Sequence, residues 1–405
     1  MDGRRVVVLG GGVGGVTAAN ELRAVLGSEH RVILMERQRD HVFAPSFLWL
    51  MTGDRRADQV RRKLSTLLRK GVELVEAEVT GLDLDREAVL ARGQEYRYDA
   101  LVVALGAELD PASFPGYADA AFNFFDAAGA ARLATALKSF AGGRIVVAVT
   151  ALPYKCPAAP YEAALLIEDQ LRRRGLRPRS EVAIFTPEPQ PMPVAGPAMG
   201  AAVSQLLAER GIQLNTTRAL ASIDAGAHEL VFTDGARERF DLLAAVPPHR
   251  APEVVRRSAL AAASGWIPVD AATLRTKHEK VYAIGDVASI TLGNGKPLPK
   301  AGVFAHAEAR VVAREIAASF GGTAAPAFDG KGYCWVELGS GRAAFADGDF
   351  YASPAPTVLL RKPGTHWHLG KVLFERSWLG TGLERALAAA ALRVGARLTG
   401  VRSEV

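Results

Sequence analysis

The sequence predicts an α/β protein built of two dinucleotide-type βαβ units and a small C-terminal region. Three observations predict it. An apolar strand, a glycine loop and a helical pattern open the chain. The same plan of strand, loop, helix, strand, meander and exit strand recurs once from about residue 122. An amphipathic tail follows the second copy. The expected boundaries are 1–108 and 247–322 for the first domain, 109–246 for the second, and 323–405 for the C-terminal region.

Val6 to Leu9 is an apolar run of the kind that fills a buried parallel strand. Gly10, Gly12 and Gly15 follow as G-x-G-x-x-G. Gly10 allows the tight turn, Gly12 lets backbone approach a pyrophosphate, and Gly15 lets the next helix lie on the strand. That helix is expected from about Val13 to Leu26, its N–H groups aimed at phosphate. A second strand, Val32 to Met35, ends at Glu36, 21 residues after Gly15 and placed for a ribose hydroxyl. The pattern fits a Rossmann-like site and does not separate FAD from NAD.

The apolar, aromatic stretch from Arg37 to Leu50, which contains Pro45, either covers one end of a cofactor or forms a hydrophobic loop. Residues 55–70 read as an amphipathic helix. Residues 72–79 and 89–98 read as an antiparallel meander, and 99–106 as an exit strand ending in Gly106. In the second copy, 127–140 is helical, 144–149 a strand, 161–174 a helix, 181–185 a strand and 197–210 a helix. A meander at about 212–240 leads into the exit strand 241–246. Val281 to Ile284 is a further strand, ending in Gly285-Asp286; Lys300-Ala301-Gly302 opens a helix to about Phe320. Asp286 is either a ligand of ribityl hydroxyls or a turn carboxylate. The helix N-terminus at Gly302 suits negative charge.

Composition bounds the function. The 405 residues are 49% hydrophobic and 23% charged, ordinary for a soluble protein. The net charge of +6 is spread over arginine-rich faces, with no aromatic-interleaved basic patch for nucleic acid. No apolar run reaches the length of a transmembrane helix, and the first strand leaves no room for a signal peptide before it. Two cysteines exclude a disulfide scaffold or a metal cluster, and no metal ligands are expected.

The second copy breaks its own rule at the loop. Thr150 to Pro160 contains no glycine and three prolines, Pro153, Pro157 and Pro160. Proline has no N–H to offer a phosphate, and bulky side chains stand where a pyrophosphate would lie. The loop instead presents Cys156 beside Lys155 and a helix N-terminus, both of which favour a thiolate. Cys334 is the second thiol, 178 positions on.

Here the chain resembles a known family. Lys155-Cys156-Pro157-Ala158-Ala159-Pro160-Tyr161-Glu162 is similar to the K-C-P-x-x-P-Y-E segment of sulfide:quinone oxidoreductases and of the flavoprotein subunit of flavocytochrome c sulfide dehydrogenase. Tyr333-Cys334 and the segments 341–345 and 348–351 resemble that family's C-terminal motif. The resemblance implies a fold of the pyridine nucleotide-disulfide oxidoreductase type. It implies non-covalent FAD held by Gly10, Gly12, Gly15, Glu36, Arg37, Pro45, Val79, Gly106, Gly285, Asp286, Lys300 and Gly302. It implies a Cys156–Cys334 disulfide or polysulfide facing the flavin. Sulfide, or another small sulfur compound, attacks it; a thiolate–flavin adduct carries electrons to FAD, and quinone takes them on. Two departures stand out. The upstream third cysteine of many quinone-linked members is missing, and so are the family's histidines, since 123–129 and 190–200 contain none. Proton transfer then falls to Glu162, unless it is a solvated helix carboxylate.

In the tail, Leu379, Leu383, Leu387, Ala390, Val394, Leu398 and Val401 form one apolar stripe flanked by Arg393, Arg397 and Arg402. A basic amphipathic helix suits an anionic membrane surface, or else packs on protein or a second subunit. His366 and His368 alternate as on a strand. The expected enzyme is an FAD-dependent sulfide:quinone oxidoreductase, peripheral on the cytoplasmic side of a membrane, with homo-oligomers left open. The alternatives are electron delivery to cytochrome c, an NADH:quinone oxidoreductase, and a redox sensor without turnover.

Overall fold

In a computed structural model that describes residues 3–401, the chain forms two compact units. The first takes residues up to Val42, Arg62–Glu108 and Arg250–Lys331. The second takes Phe43–Arg61, Leu109–His249 and the chain from Gly332 on.

The first unit is organised by a five-stranded parallel sheet. Its order is Val281–Ala283, Ala100–Val103, Arg5–Leu9, Arg31–Glu36, Val72–Glu76. Val6 to Leu9 are fully buried, which a parallel strand covered on both faces requires. The helix Val13–Val25 leaves the first strand through the glycine loop and packs on the helix Gly302–Ser319. A three-stranded antiparallel meander, Val79–Asp83, Ala88–Ala91 and Gln94–Arg97, stands beside them in sequence.

The second unit repeats the plan. Its parallel sheet runs Ala121–Phe122, Leu242–Val246, Gly143–Val149, Ser180–Phe185, Gln213–Asn215. The helix Ala159–Arg173 follows the central strand, and the meander Leu220–Asp224, Glu229–Phe232, Arg237–Arg239 closes the copy. A three-stranded sheet, Lys331–Gly339, Arg342–Asp349 and Thr357–Gly364, precedes two tail helices, Thr365–Leu379 and Gly382–Thr399.

Four sequence expectations are corrected. Residues 55–70 form no α-helix but a strand, Arg61–Lys63, and a 3₁₀ turn, Leu64–Thr66. Val60, Leu64 and Leu67 are buried, and their spacing of four and three mimics a helical stripe. Val72–Glu76 and Gln213–Asn215 are not meander strands; each is the outer strand of a parallel sheet. His366 and His368 lie on a helix, since the alternation was too short to distinguish the two periods. The tail is two helices, divided at Gly380.

Most of the tail stripe faces away from the protein. The last helix buries Ala388, Leu392 and Ala396, whereas Leu383, Leu387, Val394 and Leu398 are 74%, 60%, 56% and 83% exposed. Arg393 and Arg397 are exposed as well; Arg402 lies outside the described residues. Among the described residues, no helix is long and apolar enough to cross a membrane.

These faces separate by mutation. Leu387→Glu changes the free energy of unfolding by less than about 0.5 kcal/mol, as exposed positions do. Leu392→Ala costs about 2 kcal/mol or more. Urea denaturation of both variants checks the assignment.

Candidate functional site

The first unit carries the glycine cradle. Gly10 has φ +101°, and a Cβ there would stand 2.4 Å from the Ala104 carbonyl oxygen. A Cβ on Gly15 would stand 1.8 Å from the Gly10 carbonyl oxygen. Both glycines are therefore demanded by the strand–helix junction. A Cβ on Gly12 would meet nothing within 4 Å. Gly12 is the position whose side chain the fold tolerates and an approaching pyrophosphate would not. Glu36 is aimed back at this loop: its Oε2 accepts from Gly11 N at 2.6 Å and its Oε1 from Gln38 N at 2.9 Å. His41 Nδ1 lies 2.9 Å from the Gly11 carbonyl oxygen.

The same unit holds most of the other expected cofactor residues. Val79 begins the meander and Gly106 takes φ +68° after the exit strand. Gly285, at φ +71°, and Asp286 form a 3₁₀ turn. Gly285 N donates to Glu308 Oε2 at 2.6 Å. Lys300 Nζ donates to the carbonyls of Asp286 at 2.5 Å and Ala288 at 3.1 Å, and sits 3.6 Å above the Trp266 ring. Burial pushes Lys300 down to about 8 and Glu308 up to about 7. Together they brace the Gly-Asp turn just before the helix that Gly302 opens. Arg37 is exposed and pairs with Glu78. Pro45 lies in the 3₁₀ turn Ala44–Ser46, in the second unit. The cradle and the braced turn suit a dinucleotide.

The second unit carries both cysteines. Cys156 sits in the proline loop with φ +55°, its carbonyl accepting from Ala159 N at 2.9 Å at the helix start. Cys334 lies on the strand Lys331–Gly339, and both are thiols. Burial pushes the Cys334 thiol well up; Glu162 and Cys156 push the same way, and Lys371 opposes them. The fold thus brings the two sulfurs, a carboxylate and an ammonium into one electrostatic neighbourhood. The thiolate-favouring surroundings expected around Cys156 do not extend to Cys334.

Glu162 is buried, which removes the solvated reading. Its Oε1 accepts from Lys371 Nζ at 3.1 Å and from Glu337 N at 2.9 Å. Burial raises the Glu162 carboxyl, against the pull of Lys371. Lys371 resists burial because Glu162 and Glu337 hold its ammonium. Both directions favour keeping protons beside sulfur. Glu337 Oε2 meets His368 Nδ1 at 2.9 Å, while its Oε1 is buried without a partner. His368 lies edge-on to Trp49, and Lys371 is 5.1 Å from the same ring. Arg55 sits over Trp49 at 4.6 Å and grips Glu375, which also accepts from Ser46 Oγ at 2.6 Å.

Sequence reading missed Lys371, Glu337 and His368 as a group. His368 and Lys371 stand three apart, one helical face, but the strand reading of 366–368 hid that spacing, and nothing in the sequence joins Glu337 to them. Among the described residues no group of three or more His, Cys, Asp or Glu is placed to hold a metal ion.

Residues 4–309 match the family model described as pyridine nucleotide-disulphide oxidoreductase. The chain is 26% identical over 372 residues to the mitochondrial sulfide:quinone oxidoreductase of Mus musculus, covering 87% of this chain and 79% of that protein. It is 29% identical over 358 residues to an alternative NAD(P)H-ubiquinone oxidoreductase of Arabidopsis thaliana, covering 75% and 65%. The crystal structure of the sulfide:quinone oxidoreductase from Aquifex aeolicus superposes with a TM-score of 0.83 at 23% identity, over 97% of this chain and 92% of that one.

The cradle makes a direct prediction. Gly12→Ala keeps the fold, because nothing in the protein meets its methyl group, but lowers bound dinucleotide at least tenfold. Gly15→Val disrupts the strand–helix junction itself. Flavin absorbance per purified chain, with a thermal melt, distinguishes the two.

Proposed function

We propose, from the premise that the chain belongs to the pyridine nucleotide-disulphide oxidoreductase family, that it is a sulfide:quinone oxidoreductase-like flavoenzyme. FAD is held non-covalently by the glycine cradle, Glu36 and the Gly285–Asp286 turn. Bound FAD supplies a two-electron acceptor, and a quinone reoxidises it. The observation that carries the reading is the shared neighbourhood of Cys156, Cys334, Glu162 and Lys371.

The chain's own residues divide the work. In the oxidised enzyme Cys156 and Cys334 form a disulfide. A hydrosulfide anion, or another small sulfur nucleophile, attacks one sulfur, and the other cysteine leaves as a thiolate. Burial makes Cys334 the poorer leaving group, because a high thiol pKa disfavours departure. Attack therefore falls on the Cys334 sulfur, which becomes a persulfide. Cys156 departs as the thiolate beside the helix start at Ala159. Glu162 takes and returns the sulfur-borne proton, and Lys371, kept as an ammonium, orients it.

An NADH-driven enzyme would need a second dinucleotide site, for which the repeat of the fold offers the second unit. The proline loop speaks against it: Pro153, Pro157 and Pro160 offer no N–H where a pyrophosphate needs them. The exposed tail stripe and its arginines support docking on an anionic membrane.

Anaerobic mixing tests the reading. Sulfide bleaches the flavin, NADH does not, and decylubiquinone restores the colour. Cys156→Ser and Cys334→Ser keep FAD but lose bleaching by sulfide; bleaching at the normal rate in both would remove the thiol mechanism. Glu162→Gln slows bleaching on the order of 10²-fold and alters its pH profile, as loss of an acid–base group does. Truncation after Gly380 keeps Lys371 and releases the protein from anionic liposomes; continued sedimentation with them would rule the tail out as the anchor.

A further inference from the structure

The two copies of the fold tie their loops back in the same way. In the first, Glu36 ends the second strand, and its Oε2 accepts from Gly11 N of the glycine loop. In the second, Glu188 follows the corresponding strand, Ser180–Phe185, by three residues. Its Oε2 accepts from the Tyr154 hydroxyl at 2.9 Å and from the Tyr161 hydroxyl at 2.8 Å. Thr186 Oγ1 donates to the same oxygen at 3.1 Å, and the Glu188 carbonyl accepts from Thr217 N at 2.9 Å. Tyr154 stands two residues before Cys156 and Tyr161 five residues after it. All three side chains are buried, and burial together with Glu188 keeps both phenols protonated as donors.

One carboxylate thus closes both ends of the cysteine loop. A dinucleotide unit keeps an acid near this place for ribose hydroxyls; here the chain's own hydroxyls fill it. We infer that Glu188 is a positioning residue for Cys156, holding the Tyr154–Tyr161 loop so that the Cys156 sulfur is presented to Cys334. The inference rests on the reading that the two cysteines cycle between dithiol and disulfide. It adds a residue far from them in sequence that sets how readily they pair. An ordered loop raises the effective concentration of one thiol at the other, which stabilises the disulfide. Releasing the loop lowers that concentration and makes the disulfide easier to reduce.

The test is the equilibrium between dithiol and disulfide in the FAD-loaded protein, set with glutathione buffers and read by alkylation and peptide mass mapping. Glu188→Ala is expected to weaken the Cys156–Cys334 disulfide about tenfold, a shift of about 30 mV to less negative potential for a two-electron couple. Glu188→Gln, whose amide oxygen still accepts from the phenols, stays within threefold of the parent. The Tyr154→Phe/Tyr161→Phe double variant, which removes two hydroxyls and little volume, shifts as Glu188→Ala does and decides the matter if Glu188→Ala fails to fold. A disulfide of parental potential in the double variant overturns the positioning role. A parent chain that never forms the disulfide overturns the underlying thiol reading instead.

Discussion

The ion pair between Glu162 and Lys371 is the constraint on which the cysteine region depends. Both side chains are buried, and a buried charge is tolerated only when paired and hydrogen-bonded. Glu162 belongs to the helix that begins three residues after Cys156. Lys371 belongs to the first tail helix, and Glu337, whose N–H completes the pair, lies three residues past Cys334 on its strand. Removing one partner of such a pair costs about 3–5 kcal/mol, because the other is left buried and charged. That penalty locks the register of three segments far apart in sequence. The same registry sets the helix that follows Cys156 against the strand that carries Cys334.

The same logic explains why the second copy departs from the first. A glycine loop serves a ligand that supplies its own charge and hydrogen-bond acceptors. A loop of prolines and aromatic side chains satisfies itself, through the Tyr154 and Tyr161 hydroxyls on Glu188 and the Thr150 hydroxyl on the Val246 carbonyl at 2.6 Å. Such a loop has little left to offer a pyrophosphate. What it presents is the Cys156 residue, held in a left-handed backbone conformation that non-glycine residues rarely adopt.

The inner parallel strands that flank each loop, the glycine cradle and the proline loop were legible in the sequence, because each is a local pattern with a short-range cause. Val6–Leu9 is apolar because both faces are covered, and Gly10 and Gly15 are small because backbone stands where a Cβ would be. The Lys371 cluster was not legible: its members lie on a helix, a strand and a second helix, and the electrostatics appear only after folding. Residues 55–70 and 366–368 misled for a different reason. Their apolar or polar spacing satisfied one period over too few residues to exclude the other. The tail stripe shows the limit of amphipathicity. It identified a helix but not which face meets protein, since Leu392 and two alanines suffice for packing while four larger apolar residues remain exposed.

Relatives that oxidise sulfide and relatives that oxidise NAD(P)H stand at 26% and 29% identity, so overall likeness does not choose between them. The choice falls on local chemistry. Dinucleotide binding needs backbone N–H groups and room for phosphate; thiol–disulfide exchange needs a reachable sulfur and a place for its proton. In the second unit, prolines remove the first requirement at the loop. The sulfurs with Glu162 and Lys371 supply the second. Glu337 and the partly exposed His368 extend the hydrogen-bonded cluster outward from the buried pair. Burial raises both the Glu162 carboxyl and the Cys334 thiol, two groups of the cluster that lose charge on gaining a proton.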